Sequence, residues 1–246
     1  MTGYRGMEAP YNVGGDLPTI SGLDPDDPKA RGWVGWGGTS FSTIKDMEAL
    51  FDGLPLEKIH VAFFGVFDPS IVVLALFCAY LENKGIPLEK MNGNSVNCFT
   101  TQNISHDHPH FDGKGALKVA VELIKFCSKR MPKWGTLNLH GYDVEEAGGT
   151  AVQEIAFCVA CGIEVTRACI EAGLDPDIFV PRFSMQAACS RDFFEQIAKL
   201  RAARKVWAKV FKERFGCKNS KALQLRIFVQ TSGACMTWRQ ALNNLL

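Results

Sequence analysis

A chain of 246 residues with 47% hydrophobic and 22% charged residues has the make-up of ordinary globular material, long enough for one large domain with a real core, and fits neither disorder nor a fibrous repeat. A formal net charge of +1, with basic and acidic residues interspersed, leaves no electrostatic footprint for nucleic acid or an anionic membrane, so any anionic ligand must be gripped locally. The longest apolar run, Ile71 to Tyr80, is too short to span a bilayer and no signal-peptide layout opens the chain, so a cytoplasmic protein is expected.

From Met1 to Gly38 the sequence is rich in Gly, Pro and Asp, with Trp33 and Trp36 as isolated anchors. Residues 1–40 are therefore expected to be an irregular segment that needs another surface to pack on, and 41–246 a regular alternating unit. Lys58 to Gly65 reads as a strand, and Pro69 to Lys84 as a helix capped by Asp68. Asn94 to Phe99 is a weaker strand, followed by a polar loop and a helix from about Ala116 to Arg130.

The stretch from Gly135 to Gly149 is the most informative: Leu137 and Leu139 give a buried strand, Gly141 lets the chain turn, and Asp143, Glu145 and Glu146 crowd one mouth with carboxylates. Such a strand-to-helix junction is where barrel enzymes keep their chemistry, although a helix start also favours acidic residues. A helix from Thr150 to Ala172, a strand from Phe179 to Ala187, a long helix from Arg191 to Phe215 and a last strand from Leu223 to Gln230 complete the alternation. The long helix places Phe194, Ile197, Leu200, Arg204, Trp207, Phe211 and Phe215 on one face.

Strand-helix repetition without hairpin turns predicts a parallel sheet. About five or six units are present, short of the eight of a (β/α)8 TIM-type barrel, so the fold class is α/β, either an open sheet or an incomplete barrel. The nine cysteines fall largely in apolar helical patterns and read as free buried thiols. Cys158 and Cys161 have C-x-x-C spacing but lie mid-helix with no second pair. His106, His108 and His110 sit in a polar loop, where a solvated turn is commoner than a metal site, and no metal is expected.

Seven stretches resemble one known family: DMEALFDGLPLEKI (Asp46 to Ile59), GIPLEKMNG (Gly85 to Gly93), MPKW (Met131 to Trp134), GYDVEEAGGTAVQEIAF (Gly141 to Phe157), PRFS (Pro181 to Ser184), DFFEQIAKLRAARKVWAKVFKERFGCKNSK (Asp192 to Lys221) and QTSG (Gln230 to Gly233). They are similar to the catalytic barrel of the methylmalonyl-CoA mutase family, the cobalamin-dependent acyl-CoA mutases. The resemblance implies an isomerase in which the acyl-CoA threads the barrel, adenosylcobalamin caps its mouth, and homolysis of the cobalt–carbon bond starts a radical 1,2-rearrangement. It implies CoA-binding roles for Arg182 and Ser184 and cofactor-facing roles for Glu146 and Gln230.

The acyl pocket departs from the family pattern. Asp143 stands where the family has a His, and is expected beside the migrating group; Phe63, Val96 and Phe228, with Gly65 and Asn94, replace polar positions. An apolar or aromatic acyl-CoA is therefore expected rather than methylmalonyl-CoA, because a buried unpaired carboxylate is costly. The substrate-gripping Arg of the family falls near His106, and YRG at Tyr4 to Gly6 matches only part of an N-terminal segment. The D-x-H-x-x-G cobalt-ligating motif is absent, so a separate cobalamin-binding domain or subunit is an implied partner, with a dimer formed with a mutase chain. A non-catalytic mutase-like subunit is the alternative.

Overall fold

A computed structural model describes residues 11–64, 70–98 and 111–245. The order is β1 (Tyr11–Gly14), α1 (Leu17–Ser21), α2 (Ile44–Phe51), β2 (His60–Phe64), α3 (Ser70–Asn83), β3 (Asn92–Ser95), α4 (Gly113–Arg130), β4 (Trp134–Gly135) and β5 (Leu137–His140). It continues with α5 (Tyr142–Glu146), α6 (Ala151–Glu171), α7 (Pro176–Phe179), β6 (Phe183–Cys189), α8 (Phe193–Glu213) and β7 (Arg226–Thr231). Every strand pairing among the described residues is parallel, in the sequential orders β1-β2-β3-β4 and β5-β6-β7. Parallel neighbours need crossovers, and helices supply them.

β4 and β5 are one passage of chain broken only at Thr136; its first part pairs with β3 and its second with β6. The molecule is thus a mixed α/β fold with two parallel sheets. Neither sheet closes on itself, and β1 and β7 are edges, so the eight-stranded closure of a barrel is not reached among the described residues.

Two apolar clusters hold the helices to the sheets. Val61 and Phe63 of β2 pack with Phe51, Phe77 and Trp134, while Leu137, Leu139 and Met185 pack against Val165, Trp207 and Phe211. The indole of Trp207 stacks on Phe211 at 3.9 Å, and its N–H donates to the Ala222 carbonyl at 3.0 Å, which satisfies its one polar atom in the core. Among the described residues no helix is long and apolar enough to cross a membrane.

Three expectations are corrected. The stretch 1–40 is not wholly irregular: Tyr11–Gly14 adds a strand beside β2, while Trp33 and Trp36 pack mainly on each other at 5.2 Å. The strand read from Phe179 begins only at Phe183, because Pro176 and Pro181 first support a short helix and a 3-10 turn. The long helix buries Gln196, Lys199, Ala203, Trp207 and Phe211, and Phe194 is 81% exposed.

Candidate functional site

Alternation along β5, β6 and β7 divides the sheet into two unlike faces. Leu137, Leu139, Phe183, Met185 and Ala187 point into the helix-covered core. The other face carries Asn138 and His140 of β5, Ser184 and Gln186 of β6, and Arg226, Phe228 and Gln230 of β7. Register sets Asn138, Ser184 and Arg226 in one row and His140, Gln186 and Phe228 in the next. Asn138 donates to Ser184 Oγ at 3.1 Å, and Gln186 donates to Gln230 Oε1 at 2.6 Å. Oδ1 of Asn138 is buried with no hydrogen-bond partner. A largely polar strand face with an unsatisfied acceptor suits a ligand better than a core.

His140 ends β5 and stands at one mouth of this face. Its Nδ1 lies 2.7 Å from Oδ2 of Asp143, three residues on in α5. An ionised carboxylate only accepts, so the ring nitrogen facing it, Nδ1, carries a proton, and the ring also interacts with the side chain of Gln186. Burial disfavours the imidazolium, but the hydrogen bond and charge of Asp143 outweigh it and raise the His140 pKa above its ordinary value. Asp143, expected beside the migrating group, accepts from the His140 ring and so orients it. His140 was not singled out in the sequence; the only signal for it was the H-x-x-D spacing across the junction.

Glu146 and Gln230 share that mouth. The Ser232 hydroxyl donates to Oε1 of Glu146, and the Ala234 N–H lies 3.3 and 3.2 Å from its two oxygens. A Cβ on Gly233 would come within 3.0 Å of Oε2, so a larger residue there would crowd the carboxylate. On the other side of α5, Glu145 meets Lys199 Nζ at 2.8 Å, and Lys199 also donates to Glu154 at 2.6 Å. A polar cleft of about 370 Å³ lies alongside, lined by Glu145, Thr150, Arg191, Gln196 and Ser232 among others.

Arg182 and Ser184 lie at the opposite end of the strands. Arg182 closes the 3-10 turn before β6 and lines a small cavity of about 30 Å³ with Trp134 and Thr136. Ser184 sits opposite Arg226, whose Nε donates to the Phe183 carbonyl at 3.3 Å. Burial and then the nearby charge of Arg182 lower the Arg226 pKa, which places two guanidinium groups at this end. Arg226 was not singled out by sequence, because a lone Arg at a strand start has no motif. The seven residues of β6 separate the two ends by about 20 Å.

The expected acyl-pocket residues do not gather. Phe63 is fully buried on the helix side of β2, its ring 5.3 Å from Phe77 and 6.3 Å from Phe51, and belongs to the core. Its place follows from strand parity: Ala62, not Phe63, shares a face with Asn94. Val96 is buried just past β3 and donates its N–H to the Phe63 carbonyl. Phe228 alone joins the polar face, in the His140 row and 52% exposed on the edge strand. Asn94 Oδ1 accepts from His60 Nε2 at 2.8 Å.

Gly65, the His106 to His110 cluster and Tyr4 to Gly6 lie outside the described residues. Cys158 and Cys161 are buried in α6 within the core. Among the described residues no group of three or more His, Cys, Asp or Glu is placed to hold a metal.

A family model described as methylmalonyl-CoA mutase matches residues 5–246. The methylmalonyl-CoA mutase large subunit of Streptomyces virginiae is 38% identical over 243 residues, covering 99% of this chain and 32% of that protein. The mitochondrial methylmalonyl-CoA mutase of Homo sapiens is 37% identical, and the methylmalonyl-CoA mutase of Escherichia coli (strain K12) 34% identical, each over 244 residues and 99% of this chain. The chain spans about a third of the length of these relatives, 32% of the human protein and 33% of the bacterial one. With nearly its whole length aligned to them, the chain belongs to the methylmalonyl-CoA mutase family.

Proposed function

We propose that this chain is the substrate-binding part of an adenosylcobalamin-dependent acyl-CoA mutase, an isomerase that rearranges the carbon skeleton of an acyl-CoA through radicals. The observation that carries this reading is the polar face of β5–β7, with guanidinium groups at one end and His140, Glu146 and Gln230 at the other. A (β/α)8 barrel around that face, with the strand Tyr11–Gly14 among its members, is the architecture the reading needs.

Each end suits a part of the substrate. Arg182 and Arg226 offer planar, permanently charged donors to CoA phosphates, and Ser184 offers a hydroxyl to the pantetheine arm. At the far mouth the His140 ring, held by Asp143 and beside Gln186, would as the imidazolium that Asp143 favours donate to a thioester carbonyl in exchange for its Gln186 contact. Phe228 in the same row favours an acyl group other than methylmalonyl. The charge of His140 is already matched by Asp143, so a free carboxylate on the acyl group would meet no uncompensated cation on this row.

The residues at the mouth also fit the cofactor. Glu146 has about four lone-pair sites and uses them only partly on Ser232 and Ala234, which leaves capacity for ribose hydroxyls. Gln230, its carbonyl oxygen taken by Gln186, presents its amide NH2. Adenosylcobalamin supplies the radical-forming cobalt–carbon bond, and its lower cobalt ligand would come from a separate cobalamin-binding domain or subunit. A cytoplasmic setting and pairing with a mutase chain complete the proposal.

The test is turnover and binding together. With a separately expressed cobalamin domain, a panel of acyl-CoAs should include at least one that is rearranged, and Glu146→Gln should lose that turnover. Failure of any acyl-CoA to bind at millimolar concentration would leave the non-catalytic subunit as the better reading.

A further inference from the structure

Lys199 and Glu154 are both fully buried charged side chains, and the sheet site does not use either directly. Lys199 Nζ donates to partners on three different elements: Glu154 of α6 at 2.6 Å, Glu145 of α5 at 2.8 Å and the Ala188 carbonyl of β6 at 2.9 Å. The second oxygen of Glu154 accepts from the Ala188 N–H at 3.0 Å. The Glu154 side chain also lies directly beneath the start of α5. A Cβ on Gly141 would come within 2.8 Å of its Cγ and 2.9 Å of Oε1.

A buried ion pair of this kind seldom adds net stability over a well-packed apolar pair, because the cost of desolvation cancels the attraction. Its geometric effect is different. α5 has only five residues and one buried side chain, Val144, so packing alone fixes it poorly. Lys199 grips it through Glu145 and Glu154 shapes the floor it rests on, while Ser232 and Ala234 hold Glu146 from the other side.

We infer that Lys199 and Glu154 are positioning residues that set the pose of α5, and thereby place Asp143 against His140 and Glu146 at the mouth. The consequence for ligand binding rests on the reading of Glu146 as cofactor-facing; the consequence for His140 does not.

The experiment compares the full chain with the charge-balanced double variant Lys199→Met/Glu154→Leu by two readouts. The first is the proton NMR signal of His140 Nδ1–H, assigned with His140→Asn, which should be shifted downfield in the parent by the Asp143 bond. It should be lost or exchange-broadened in the double variant. The second is the affinity for 5′-deoxyadenosine, expected to fall about tenfold because a small misplacement of a binding group costs that much or more. A folded double variant with the parental His140 signal would overturn the inference. If the parent fails to bind 5′-deoxyadenosine, the role of Glu146 falls, while the His140 signal still decides the positioning claim. If the double variant does not fold, Glu145→Ala takes its place: it cuts the grip on α5 and leaves the Lys199–Glu154 pair intact. It should lose the same signal, and retention of the signal would overturn the inference.

Discussion

His140 and Asp143 form a largely buried pair at the mouth, and the pair has a pH signature. Asp143 raises the folded-state pKa of His140 above its unfolded value, so the contact stabilises the fold fully below about pH 6.5 and that contribution is lost as pH rises through the raised folded value. Asp143→Asn should lower the His140 pKa in an NMR titration and flatten this part of the dependence of Tm on pH. Removing a hydrogen bond to a charged group at this buried site should cost about 1.5–3 kcal/mol at pH 6, read from urea unfolding. The carboxylates of Gly141 to Glu146 were visible in the sequence, and so was their crowding. Their division of labour was not: Glu145 to Lys199 and Glu146 to the Ser232 loop follow from contacts across 54 and 88 positions, which no local pattern encodes, and Asp143 to His140 left only its H-x-x-D spacing.

At the scale of elements, the strand-to-helix junction and the helix from Thr150 were legible, but the short helix Tyr142–Glu146 between them was not. Gly148, with φ +91°, ends α5, and a Thr150–Gln153 capping box restarts the chain as α6. The face of α8 was misread for a related reason. Apolar periodicity selects Phe194 and Ile197, whereas the helix buries Gln196 and Lys199, which are tolerable inside only because their partners arrive from other elements. Two substitutions test this packing. Gly141→Ala should destabilise by about 1–3 kcal/mol in chemical denaturation, since its Cβ would overlap Glu154 and Cys158 Sγ at 3.0 Å. Trp207→Ala should cost about 3–5 kcal/mol by opening the core beneath Leu139 and Gly162. A loss below 1 kcal/mol in either case would contradict the packing described.

Across the whole molecule, alternation of strands and helices foretold parallel pairing, but not its division into two sheets or the order of the strands. Closure could not be read, because it depends on tilt and shear, which periodicity does not record. Parity of facing positions was equally hidden: it moves Phe63 into the core and brings Arg226 to the site, and a shift of one residue exchanges the two outcomes. In the function proposed above, the nucleotide end lies at Arg182 and Arg226 and the acyl end at His140. The most direct measurement is a pair of dissociation constants, for free CoA and for a short-chain acyl-CoA, in the parent, Arg182→Gln and His140→Asn forms. Arg182→Gln should weaken both ligands by about tenfold, or roughly 1.4 kcal/mol, and His140→Asn should weaken the acyl-CoA alone. Equal effects of His140→Asn on both ligands, or no effect of Arg182→Gln on either, would contradict the account.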